Sequence, residues 1–255
     1  MPIGVSESTG SVQIYLNSKY ANIKPNNGDS GFCIFEFPNI VIPDGNAAYL
    51  SLQQAVIPYS FYSINENNNT VSITDSALDT YNFSITPGNY NISQLITAMI
   101  DELGGGWSIT YNSITNKMTI VNDTLDFTLN STGTLNNAIG FSESANSQSV
   151  SKSLTSTHCI NLNQVRALNM EIDMPTSTLN VAQPLNNNIL ATIPVVAQPF
   201  GMIYFSNPNN FRVNMYCEKM NMIKVKFIDN LGNLVNFNEV NWQATLQIDI
   251  ENFRD

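Results

Sequence analysis

The chain has 255 residues, of which 12 % are charged and 43 % hydrophobic, with a net charge of −10. No run of Lys or Arg occurs, so a field that attracts phosphate backbones is missing and nucleic-acid binding is not expected. At this length roughly 70–75 % of the unfolded surface can be buried, enough for a proper core without staples.

Residues 1–30 carry one alternating run, Val12, Ile14 and Leu16, among Gly, Asn, Ser and Pro. With too few apolar neighbours to bury itself, the run reads as an N-terminal arm with one strand that docks on an exposed edge, which in an assembly is that of another chain. Phe32 to Phe37 is a strand stopped by Pro38, and Asp44-Gly45 turns the chain into Ala47 to Pro58. Two neighbouring antiparallel strands are expected there.

From 61 to 150 the pattern changes. Thr70–Thr74 and Tyr81–Ile85 read as one hairpin, Trp107–Tyr111 and Lys117–Val121 as another. Between them Ile92, Leu95, Ile96, Met99, Ile100 and Leu103 form a single apolar helical stripe. Asn91 with Gln94 caps its start and Gly104 closes its end. Leu135–Phe141 closes this small α+β unit, and the Ser-rich stretch 142–157 reads as a connector.

Strands then resume: 168–172, 189–195, 201–205 and 212–215, punctuated by Pro and Asn. In the last stretch Ile223, Val225 and Phe227 alternate with lysines, and Trp242, Ala244, Leu246, Ile248 and Ile250 alternate with polar residues. A period of two defines two half-buried strands, and the Asp229–Asn233 cluster between them reads as the turn of a long antiparallel pair. Its apolar face needs cover, and residues 31–58 are expected to supply it. The expectation is an all-β sandwich split between 31–60 and 158–255, with a small α+β domain inserted at 61–150.

Catalytic chemistry is hard to assemble from this inventory. The only histidine, His158, adjoins Cys159, and adjacent strand residues point to opposite faces, so a Cys/His pair is not expected. Neither Cys-x-x-Cys, His-x-x-x-His nor EF-hand spacing occurs, so no metal or other cofactor is expected. Gly104-Gly105-Gly106 follows a helix instead of preceding one and is no phosphate cradle. Cys33, Cys159 and Cys217 are odd in number and far apart, which fits free thiols. No apolar leader follows Met1 and no run of 18 apolar residues exists, so synthesis in the cytoplasm and no membrane span are expected.

Three phrases together resemble the penton (minor capsid) proteins of virophages, Polinton-like viruses and related large DNA viruses. They are Tyr49 to Asn65; then Ile85-Thr-Pro-Gly-Asn-Tyr-Asn91 with its helix, the Thr110–Thr119 hairpin and Asn137 to Phe141; then Ile189 to Pro194 with Ile223 to Trp242. The resemblance implies a single jelly roll of two four-stranded antiparallel sheets with an insertion. It further implies a homopentamer at the fivefold vertices of an icosahedral capsid, in the virion, beside trimers of a double jelly-roll major capsid protein. No Arg-Gly-Asp triplet is present, so integrin binding is not implied. The other reading is a receptor- or carbohydrate-binding sandwich such as a fibre head, favoured by a surface cluster of aromatics. Candidate assembly contacts are Val12, Ile14 and Leu16 on the arm and Tyr59, Phe61 and Tyr62 at the exit of the first strand pair.

Overall fold

The computed structural model describes residues 7–174 and 188–252. Its contacts divide the chain into two units, one built from residues up to Phe61 and from Val165 onward, the other spanning Tyr62–Gln164.

The first unit is a sandwich. One sheet has the order β1-β16-β3-β13, formed by Glu7–Asn17 (β1), Asn46–Pro58 (β3), Met202–Ser206 (β13) and Gln243–Asn252 (β16); the short Val213–Met215 (β14) pairs β3 beyond β13. The other sheet has the order β12-β11-β15-β2, formed by Phe32–Val41 (β2), Ala167–Ile172 (β11), Ile189–Pro194 (β12) and Lys219–Ile228 (β15). All pairings are antiparallel. Between the sheets lies one core, to which Leu50, Leu52, Ile57, Leu246 and Ile248 contribute from the first and Cys33, Phe35, Leu168, Val225 and Phe227 from the second. Trp242 closes it, edge-on to Phe35 at 5.9 Å and to Phe227 at 5.0 Å between ring centroids.

Three expectations are corrected. The run Val12, Ile14, Leu16 is not a free arm: β1 pairs β16 from Glu7↔Asn252 to Asn17↔Gln243 and is an edge strand of the sandwich. Its missing apolar neighbours are supplied by distant strands, which local sequence does not reveal. The stretch 219–252 is not a hairpin, because β15 lies between β11 and β2 while β16 lies between β1 and β3 in the opposite sheet. The turn itself exists, with the Asp229 carboxylate accepting from the N–H groups of Leu231 and Asn233, but the chain then crosses to the other sheet. For the same reason β2 and β3 are not paired; each is the sheet neighbour of one C-terminal strand. A period of two reports which face is buried and leaves the partner open. Two four-strand-wide antiparallel sheets, with the chain crossing between them at every step except β11 to β12 and β13 to β14, are the arrangement of a single jelly roll.

The second unit carries Thr70–Asp75 (β4), Thr80–Ser84 (β5), Ile92–Leu103 (α1), Trp107–Asn112 (β6), Lys117–Asn122 (β7), Phe127–Leu129 (β8), Ser147–Gln148 (β9) and Ser153–Thr155 (β10). Two small sheets, β5-β4-β8-β9 and β10-β7-β6, share a core with Leu95, Met99 and Leu103 of the helix. The reciprocal Asn91–Gln94 capping box is present, and the Gly104 N–H closes the helix onto the Ile100 carbonyl. The Ser-rich stretch 142–157 is not a connector: β9 pairs β8, β10 pairs β7, and Leu154 is buried in this unit's core.

Candidate assembly surface

The six candidate contacts separate sharply. Tyr59 and Phe61 stack at 4.3 Å, and Phe61 meets Phe237 edge-on at 6.0 Å, so both are buried core. Leu16, at 4 % exposure, is core as well. None of these three is open to a neighbour, which corrects their assignment as surface contacts, and an exposed aromatic cluster for a glycan is not found in this loop. Tyr62 is half-buried, its carbonyl accepting from the Asn65 side chain. Ile14 is half-buried against the core, and Val12 is exposed at 38 %. The β1 run therefore passes from open to buried toward its C-terminal end.

Several side chains that the sequence reading passed over are more exposed. On β1, Tyr15 is 75 % exposed on the outer face of the sheet, its cross-strand partner being Thr245, which faces Gln54 in turn. Beside it lies a shallow depression of about 330 Å³, bounded by Tyr15, Asn17, Gln54, Val56, Gln243 and Thr245. None of these is charged. At the opposite edge, the turn from β12 into β13 presents Phe200 at 89 % and β13 presents Tyr204 at 72 %. Phe200 holds φ +67°, a conformation that costs a bulky side chain energy. It is fixed by Phe200 N–H to the Tyr59 carbonyl at 3.0 Å, Tyr59 N–H to the Gly201 carbonyl at 2.9 Å and Gly201 N–H to the Gln198 carbonyl at 2.9 Å. Gly201 is required there, because a Cβ would lie 2.8 Å from that Gln198 carbonyl oxygen. A signal was present in the sequence: no charged residue or His occurs from Met174 to Phe211.

Charge on this sheet lies further along β16 and beside β14. Arg212 pairs with Glu251, lies 3.8 Å from Asp249 and stacks 4.0 Å over the Tyr49 ring. The hydrogen bond to Glu251 raises the Arg212 pKa further, fixing its charge. On the other sheet Lys224 pairs with Asp173, and Lys226 lies over Phe32 at 4.9 Å. His158 and Cys159 are both exposed and lie outside any strand, so the geometry that separated them in the sequence reading does not apply; the Cys159 thiol donates to the Thr115 carbonyl at 3.5 Å. Among the described residues no three His, Cys, Asp or Glu side chains group closely enough to hold a metal. No helix among them is long and apolar enough to cross a membrane.

The described residues form a single jelly roll carrying an inserted α+β unit. Among solved structures, this fold is similar to the crystal structure of the mavirus penton protein, with a TM-score of 0.52 and 13 % sequence identity over 95 % of this chain and 100 % of that one. No protein-family model matches the sequence, and no curated protein does.

Proposed function

We propose that this chain is a penton protein, a capsid subunit that assembles as a homopentamer at the fivefold vertices of an icosahedral virion. The observation that carries the reading is the extent of the fold match: 95 % of this chain and all of the mavirus penton protein are covered, so the inserted unit is matched along with the sandwich. The inventory of the site supports the same reading. Only 12 % of the residues are charged, and exposed apolar side chains occur at both edges of the first sheet, Val12 and Tyr15 on β1 and Phe200 and Tyr204 at β13, which suits repeated lateral contacts.

The neighbours at such a vertex are trimers of a double jelly-roll major capsid protein. One sandwich of this size cannot supply two jelly rolls, so this chain fills the vertex and not the facet. The function is structural, and no step of it calls for a catalytic group or cofactor.

Electron cryomicroscopy of virions that contain the chain tests the proposal. Density at the fivefold vertices that fits the sandwich and its insertion is the expected result. Finding the chain in the facets or inside the particle, with different density at the vertices, overturns it.

A further inference from the structure

We infer that the two outer edges of the first sheet are the two halves of one head-to-tail contact, in which Phe200 and Tyr204 on the β13 edge of one copy meet Val12 and Tyr15 on the β1 edge of the next. The inference rests on the pentameric reading above and names the surface that closes the ring.

Charge selects these edges. Each copy carries −10, so copies repel one another except where the facing surfaces are neutral. No charged residue occurs from Met174 to Phe211, which includes all of β12 and β13, nor from Gly10 to Asn17, which covers most of β1. A second copy of this chain therefore fits each edge better than a partner recognised by charge.

Topology makes the contact heterologous. In the order β1-β16-β3-β13, strands β1 and β13 each have one sheet neighbour, and they lie at opposite ends of the sheet. A ring needs two different, complementary surfaces on each subunit, repeated head to tail. A contact of β1 with β1 closes a dimer instead. Past the irregularity between Ser8 and Gly10, the β1 edge carries neither Lys nor Pro from Gly10 to Asn17, two of the guards that keep exposed strands apart.

Shape supplies the complement. Phe200 is held rigidly outward in a strained conformation that no burial within its own subunit offsets, which is the condition of a pre-organised anchor. The depression runs on the outer face from Tyr15 of β1 across Thr245 of β16 to Val56 of β3 and gives uncharged relief of about 330 Å³ next to the β1 edge.

The test uses the full chain and two variants. Phe200→Gly removes the ring and relieves the positive φ, so its subunit melting temperature should stay level or rise. Tyr15→Lys places a cation on the opposite edge at an exposed position. Light scattering through a dilution series should show wild-type pentamers, and each variant should dissociate at a concentration about tenfold higher or more. An equimolar mixture of the two should yield species of twice the subunit mass, since one intact edge pair can form and the other cannot. Wild-type pentamers with either variant dissociating like the wild type overturn this contact and leave the vertex reading standing. A wild-type chain that stays a single subunit overturns both.

Discussion

The Trp242 indole donates its Nε1–H to the backbone carbonyl of Ser30 at 2.7 Å, tying the entrance of the last strand to the segment just before β2. Around this bond the Asp29 carboxylate accepts from the N–H groups of Gly31, Phe237 and Glu239, and the Trp242 N–H donates to Ser18 Oγ. Segments separated by about two hundred residues are joined at one buried point, with the fully buried Trp242 ring wedged between the sheets. Trp242→Ala should cost about 3–5 kcal/mol through the cavity and the lost bond. Trp242→Phe keeps most of the packing and should cost about 1 kcal/mol for the bond, plus the smaller ring's lost contacts. Urea midpoints of the two variants check this, and a loss under about 1 kcal/mol for the alanine change contradicts the buried position.

Glu171 gives a pH-dependent prediction. It is buried beside an irregularity in β11, faces Lys226 on β15, and its Oε1 has no hydrogen-bond partner. Burial pushes its carboxyl pKa up, with Lys226 opposing. A carboxyl raised on folding stabilises the protein below its unfolded pKa, about 4.3, and loses that contribution as pH rises through the folded value. Glu171→Gln should therefore be more stable than the wild type at pH 7.5, by about 1 kcal/mol, with the difference fading near pH 4. Equal urea midpoints at pH 7.5 would place a partner on the carboxylate in solution.

How much of this was legible in sequence depends on the range of the interaction. The helix over 92–103, its Asn91–Gln94 cap and the two hairpins of the inserted unit are set by residues within a few positions of one another, and they stand where the pattern put them. The buried faces of β15 and β16 were legible for the same reason, since alternation is local. Their partners were not. That β16 lies beside β1, and β15 beside β2, depends on contacts made across the whole chain, which no period of two encodes. Phe200 was hidden differently: a Pro-Phe-Gly turn looks the same whether its ring points inward or outward.

The three thiols should differ in reactivity. Cys33 is buried and its pKa is pushed up to about 12 by desolvation, with Lys24 opposing and Asp29 reinforcing. Cys217 is half-buried and raised by burial, while Cys159 is exposed. Since the thiolate is the reactive form, maleimide at neutral pH should label Cys159 first and Cys33 only in denaturant. Mass spectrometry after brief labelling checks the order, and rapid labelling of Cys33 in the native protein contradicts its place in the core.

Each unit has its own apolar core, so each should satisfy itself. Replacing residues 62–164 with a short Gly/Ser linker should leave a β-rich domain that melts cooperatively by circular dichroism. An unfolded product would show that the sandwich depends on the inserted unit.

A ring of five fixes the native mass of the purified chain. Light scattering should give five times the 28.2 kDa subunit, with the ring holding to greater dilution as added salt screens the repulsion between acidic copies. A mass of one subunit at every protein and salt concentration rules the ring out.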